Sequence, residues 1–440
     1  MNNLRLLTGL LTATLLSGAV CAADGVTPMV VTPEELFEIA ESNSTQLRQA
    51  FSAEEVARKA VDVARADRLP DINANLSLSY IGDGFTTKRN FSDYQRAPIP
   101  HFGNNFGLDV TQPVYTGGAI TAGIELAEMK LTASRYAAEL QRDNIRFSLT
   151  GFYLDIYKYS NLRAVVESNI QSARQVLGEM QARFEQGTAL QNDITRYELL
   201  VSNLELQLIK IDNTLNILNN NLITIAGLPV DTKILPDSTI LSRSLPVSSE
   251  QAWLDEASKN APSIRLAQSE LDISRKAETL VKADRLPKIG LKAAWSTEGP
   301  ILVEVPPINR NLSYWYVGVG VSYDLSSLFK TGKSMARSKA ATVNAADRLA
   351  ATMENTDIAV RADYVRYLEA YEELKTQQKS VELAERNYAV TSTRYSADMA
   401  LITDMLDAAN ARLDAEQNLV NARINIIYYY YKLLFTSGKI

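Results

Sequence analysis

Whatever chemistry this chain performs must come mainly from carboxylates. The sequence holds one cysteine, Cys21, and one histidine, His101, which removes the thiolate, imidazole–metal and Ser/His/Asp sites that need several such groups converging. No enzyme, metal site or cofactor is expected. Asp404 and Asp407 are three apart and so share one helix face, and Asp193 opens another helical pattern. Gathered carboxylates attract cations and raise some of one another's pKa values by repulsion. A plainer role suits Asp193 and Asp404 equally, since a carboxylate in the first turn of a helix caps free amides and stabilises the dipole. His101, alone in a long loop, reads as solvated. Lys88, Arg89 and Arg96 share that loop and could meet anionic sugars, although simple solvation also accounts for them. Gly117-Gly118 has no phosphate-loop context and reads as a tight turn. Tyr428 to Tyr431 read as packing.

The chain that must position these residues has 440 residues, 46% hydrophobic and 22% charged, which excludes wholesale disorder. Lys+Arg 45 against Asp+Glu 51 gives net charge −6, without the basic excess that a nucleic-acid partner requires. Arg5, the apolar run Leu6 to Val20 and the small residues after it form a signal peptide over 1–22, with cleavage fitting best after Ala22 or Ala23. Lipidation of Cys21 fits less well, because Val20 precedes it and Gly18 replaces the usual leucine. Beyond Val20 no apolar stretch reaches about 20 residues, so no helical membrane span is expected.

The mature sequence is duplicated. Ala66-Asp67-Arg68-Leu69-Pro70 recurs as Ala283-Asp284-Arg285-Leu286-Pro287, and Arg183, Ala189-Leu190 and Asp193 recur as Arg394, Ala400-Leu401 and Asp404. The expected repeats are 23–240 and 241–440. Each starts with helices: Thr32 caps one that opens Pro33-Glu34-Glu35, and Ser248 or Ser249 caps its counterpart. Alternating residues then predict strands at about 71–81 and 104–114, and at about 288–297 and 313–325. Long helices follow over about 119–187, 189–227, 332–397 and 400–436. A helix over 119–187 would be on the order of 100 Å long. From Ile194 to Ile225 apolar residues recur in steps of three and four, a coiled-coil seam. The seam of the last helix is poorer, diluted by Ala409 and Glu416.

Four strands of about ten residues suit an outer membrane but cannot close a barrel, for which about eight are the minimum. Several copies must therefore share one. Tyr80, Phe106, Trp295 and Trp315 fall near strand ends, where aromatic girdles sit. The Leu69-Pro70 junction, the turn Gln112-Pro113-Val114-Tyr115-Thr116-Gly117-Gly118, and Arg394-Tyr395 followed by Ile402-Thr403-Asp404-Met405-Leu406-Asp407-Ala408 together resemble the TolC-like outer membrane efflux family, over essentially the whole mature chain.

The resemblance implies a homotrimer with a long coiled-coil α-barrel continuous with a shared 12-stranded transmembrane β-barrel. It also implies a periplasmic adaptor and an inner-membrane transporter as partners, outer-membrane lipid around the barrel, and export of drugs, small molecules or proteins. By the resemblance, Asp404 and Asp407 fall on a ring that constricts the periplasmic mouth, and Tyr395 bonds an acidic partner at Asp193. The arginine that joins this lock in the family is Ala400 here, with Arg196 or Arg394 as possible substitutes. The alternative is a periplasmic adaptor protein, which would carry one helical hairpin between soluble β-domains.

Overall fold

The computed structural model describes residues 27–237, 240, 245–246, 248–304 and 306–440. The signal peptide expected over 1–22, and Cys21 within it, lie outside the described residues. β1 (Thr27–Val31) leads into α1 (Pro33–Asn43) and α2 (Thr45–Ala66), and the membrane-type strands β2 (Asp71–Tyr80) and β5 (Phe102–Tyr115) flank a short hairpin, β3 (Gly84–Thr86) and β4 (Gln95–Ala97). α3 (Ala119–Glu185), α4 (Gln191–Ala226) and β6 (Thr232–Pro236) complete the first half. The second half runs through α5 (Glu250–Asn260), α6 (Pro262–Ala283), β7 (Lys288–Gly299), β8 (Leu312–Ser322), α7 (Ser327–Ser396) and α8 (Ile402–Thr436).

Local chemistry sets these boundaries. Thr32 and Glu35 cap α1 reciprocally, the side chain of Glu35 accepting from the Thr32 N–H at 2.8 Å. Ser249 Oγ accepts from the Ala252 N–H at the start of α5. β8 ends at Ser322 rather than near 325, because the Asp324 carboxylate accepts both the Ser326 N–H and its hydroxyl, turning the chain into α7 five residues before 332. Gly332 therefore sits inside a helix and does not open one.

β2, β5, β7 and β8 form one antiparallel sheet in that order. Its apolar residues stand exposed: Ile72, Leu76, Leu78, Val317, Val319 and Val321 are all uncovered by other parts of the chain. Trp295 lies opposite Trp315, and Phe106 meets Trp295 edge-on at 5.3 Å. Among the described residues, β2 and β8 have no strand on their outer edges. A single chain thus carries an open sheet and no closed barrel. At the strand-to-helix return, Gly117 has φ +66°, and a Cβ there would lie 2.7 Å from the Ala283 carbonyl oxygen, so both conformation and space demand glycine.

The helices pair as coiled coils, α3 with α4 and α7 with α8, and α3 also runs along α8. On α4 the seam is buried at Ile194, Tyr197, Val201, Leu204, Ile211 and Leu222 and half-buried at Leu208, Leu215, Leu218 and Ile225. A second stripe on the same helix, Leu199, Leu206, Ile209 and Ile217, stays exposed. Where the two coiled coils meet, the main core gathers Leu36, Leu149, Tyr153, Leu222, Ile234 and Tyr431. Here β1 pairs in parallel with β6, two short strands unanticipated from the sequence. The Tyr153 hydroxyl accepts the Asp237 N–H at 2.8 Å, and burial pushes this phenol up to about 12.

The loop over 81–105 is more ordered than its composition suggests. Arg96 pairs with Asp83, Lys88 pairs with Asp93 at 3.1 Å, and Phe85 stacks on Tyr94 at 4.8 Å. His101 stacks on Tyr80 at 5.2 Å, and its Nδ1 lies 2.8 Å from the Ile81 carbonyl oxygen. It ties the hairpin to the strand ends.

Candidate functional site

The end of the molecule away from the sheet is built by two helix-to-helix turns that repeat each other. The Thr188 N–H bonds the Arg183 carbonyl at 2.9 Å and the Gly187 N–H that of Phe184 at 2.9 Å; at the other turn Met399 bonds Arg394 at 2.8 Å and Asp398 bonds Tyr395 at 3.1 Å. Both are Schellman closures, whose penultimate residue needs positive φ. Gly187 supplies it in one (φ +76°). In the other an aspartate does, Asp398 at φ 59°, a conformation that costs a non-glycine residue about 1 kcal/mol.

Asp398 has a purpose that glycine could not serve. Its carboxylate pairs with Arg183, on the end of α3 at the opposite turn. The same guanidinium lies 5.8 Å from the Tyr395 ring centroid, and its Nη1 donates to the Tyr395 carbonyl at 3.4 Å. Arg183 therefore fastens the tip of one coiled coil to the tip of the other. Of the two candidate substitutes for the missing arginine, Arg394 donates to the Met399 carbonyl at 3.4 Å in its own turn, and Arg196 is an exposed residue of α4. Arg183 was not singled out from the sequence because its partners lie more than 200 residues away. The duplicated turn and a non-glycine at a glycine position were the available signals.

Tyr395 is half-buried. Burial and the nearby Asp193 carboxylate raise its pKa, while Arg183 opposes the shift. Among the described residues, no hydrogen bond joins Tyr395 to Asp193. Asp404 accepts the Leu401 N–H at 3.0 Å, a cap at the start of α8. Asp407 is exposed, with no hydrogen bond or ion pair among the described residues. Asp404 and Asp407 thus present carboxylates outward at the tip, one of them anchored to the backbone.

A polar node higher up joins all four long helices. Arg412 donates to Asn169 Oδ1 at 2.7 Å, Asn169 donates to Glu416 at 2.8 Å, and the Arg412 guanidinium covers the Tyr388 ring at 4.1 Å. Tyr197 of α4 adjoins Tyr388 and is fully buried, which raises its pKa. Glu416, which weakens the α8 seam as a sequence, is thereby explained as a paired residue of this node.

Long paired helices, an open membrane-type sheet with apolar residues exposed, and acidic residues at the far tip define a subunit of an envelope channel. The family model for outer membrane efflux proteins matches residues 36–228 and 253–428, and the chain belongs to that family. It is 22% identical to the outer membrane protein TolC of Vibrio cholerae over 414 residues, covering 93% of this chain and 91% of that protein. It is also 22% identical to the pyoverdine export outer membrane protein OpmQ of Pseudomonas putida over 406 residues, 89% of this chain and 82% of the relative. The crystal structure of the outer membrane protein VceC from Vibrio cholerae superposes with a TM-score of 0.75 at 16% identity, covering 92% of this chain and 96% of that one. The outer-membrane channel OprN gives 0.74 at 18% identity, with 93% and 90% coverage. The protein acts in the outer membrane as an efflux channel component, in a family of channel proteins, and nothing in these comparisons supports the adaptor alternative.

Proposed function

We propose that three copies of this chain form one channel-tunnel: a 12-stranded barrel in the outer membrane continuous with a helical duct, gated at its far tip by Asp404, Asp407, Asp193 and Tyr395. One observation carries this reading. The four-stranded sheet exposes its apolar residues, which suits lipid and not water, and leaves both outer edges without partners among the described residues, and unpaired backbone edges are not tolerable in hydrocarbon until copies join edge to edge. The exposed stripe Leu199, Leu206, Ile209 and Ile217 on α4 argues likewise for lateral neighbours along the duct. α3, at about 100 Å, reaches far enough to meet a periplasmic adaptor and, through it, an inner-membrane transporter.

At the tip, three copies would bring six carboxylates around one axis. Such a ring concentrates cations and repels anions. Three-fold symmetry also gives each Tyr395 and Asp193 a neighbouring copy to engage. The test is the mass of the purified protein in detergent, followed by single-channel conductance in planar bilayers. A trimer with small, cation-selective conductance is expected, with selectivity lost in Asp404→Asn/Asp407→Asn. A protein that stays monomeric and soluble without detergent would overturn the reading.

A further inference from the structure

The polar face of the sheet holds a recess at the end away from the helices, beside the turn that joins β7 to β8. Ser77, Asn105, Glu298 and Leu312 stand opposite one another in a single row across the four strands. They form the floor of an open hollow of about 340 Å³, which Ile81 and Leu302 also border. A Cβ at Gly103 would lie 3.0 Å from Ile81 Cδ1, so the Ile81 side chain lies over β5 on this same face. Two backbone hydrogen bonds between Ile301 and Ile308, at 2.9 and 3.0 Å, pin the turn and keep Leu302 at the rim. Leu302 and Leu312 are 46% and 45% exposed.

The carboxylate on this floor is uncompensated. Glu298 is exposed and makes no hydrogen bond or ion pair among the described residues, and Arg310, beyond the turn, does not pair with it. The next row toward the helices, Asn75, Gly107, Ser296 and Tyr314, carries no charge. The first cation along β7 is Lys292, six residues away, or about 20 Å, about twice the screening length at 0.1 M salt. The duplicated frame does not call for an acid here either. β2 matches β7 with a shift of 217 residues and β5 matches β8 with a shift of 211; moved by these shifts, the pair Asp71 with Thr111 becomes Lys288 with Ser322, as observed. By the same shifts Glu298 stands where the first half has Ile81, and Leu312 where it has His101, whose ring bonds the Ile81 carbonyl. The first hairpin closes on itself at this row, and the second leaves a charge and apolar side chains open.

We propose that this recess is a binding subsite on the exit path for monovalent cations that carry an apolar body, the charge set against Glu298 and the body against Leu302 and Leu312. A concave, partly apolar hollow with one well-placed charge is the usual form of a small-molecule site. Exposed leucines beside water gain from an apolar partner, and the lone carboxylate selects its sign. The proposal rests on the shared-barrel reading above, which turns the polar face inward, and adds to it a class of cargo: a cation drawn in by the carboxylates of the tip meets a second carboxylate near the outer mouth.

The test adds benzyltriethylammonium to the chamber that the loops face during planar-bilayer recordings of the full-length protein. Wild type and Asp404→Asn/Asp407→Asn are expected to be blocked equally, which separates this site from the tip. Glu298→Gln should raise the half-blocking concentration about two- to fivefold, the range for a partly exposed charge pair, and Leu302→Ser/Leu312→Ser should raise it by a similar factor. At the concentration that half-blocks wild type, tetramethylammonium, which has the charge without the body, and benzenesulfonate, which has the ring with the opposite charge, should not block. In protein of trimeric mass, an unchanged half-blocking concentration in either variant, equal block by benzenesulfonate, or no block of wild type would overturn the subsite and leave the shared barrel standing. Block that disappears in the tip variant would also overturn it, by assigning the cation to the tip. A monomeric protein that forms no channel would overturn both readings.

Discussion

Replacing Arg183 with alanine separates the two tips at one stroke. The Asp398 side chain is 74% exposed, so solvent screening holds that ion pair to about 0.2–1 kcal/mol. Contact with the Tyr395 ring adds about 0.5–1 kcal/mol. Each subunit therefore loses about 1–2 kcal/mol of contact between the coiled-coil tips. If three subunits open together, the total of about 3–6 kcal/mol shifts the closed-to-open ratio between about a hundredfold and about ten-thousandfold. Arg183→Ala should raise conductance in planar bilayers at 0.1 M salt, and Arg183→Lys, which keeps the charge but not the flat guanidinium, should fall between. Wild-type conductance should rise faster than in proportion to salt between 0.1 and 1 M, as the screening length shrinks from about 10 to 3 Å, and the mutant should lose that excess. Equal conductance of wild type and Arg183→Ala at both salts, with helical content intact, would refute the reasoning.

Asp398→Gly relaxes the left-handed turn but removes the carboxylate, whereas Asp398→Asn keeps a residue suited to that turn; both should raise conductance, with Asp398→Gly the more heat-resistant by about 1 kcal/mol, read as an apparent Tm in detergent. Arg412→Leu leaves Glu416 and Asn169 without their guanidinium partner and should cost about 2–4 kcal/mol, much of it recovered in Arg412→Leu/Glu416→Leu, which completes an apolar seam; thermal unfolding of the single and double variants checks this. Burial raises the Asp143 pKa from 3.8 to about 6 despite the opposing Arg146. The folded state therefore holds its proton more tightly, and stability falls as pH rises from about 4 to 6, by up to about 3 kcal/mol. In Asp143→Asn that slope of apparent Tm against pH should flatten; an unchanged slope would count against the buried acid.

The fold was legible because its signals are local and repeated. Strict alternation after Pro70 marks β2, the three-and-four spacing from Ile194 marks α4, and the recurring Ala-Asp-Arg-Leu-Pro marks the duplication. What escaped reading depends on long-range pairing. β1 and β6 are five residues each, too short for a periodic signal, and become strands only because they find each other across the chain. The β3–β4 hairpin is held by side chains such as Arg96 and Asp83 in a loop whose composition suggests none. At the tip, Asp404 and Asp407 could be named because the turn that carries them resembles the family's. Arg183 could not, because nothing in its own neighbourhood distinguishes a tip-fastening arginine from a solvated one, and Arg412 acquires its meaning only when four helices bring Asn169, Tyr388 and Glu416 to it.

The parallel pairing of β1 with β6 bears on how the protein is made. Thr27 cannot find Thr232 until some two hundred later residues have entered the compartment where folding occurs. The leading strand of an exported chain must stay unpaired throughout that interval, and pairing over such a separation is slow. An unpaired strand is also a template for wrong partners. Once β6 arrives, the first half is closed into a loop stitched at its base, before the second half has finished crossing. The interval before β6 emerges is therefore when the leading strand most needs protection from other partners.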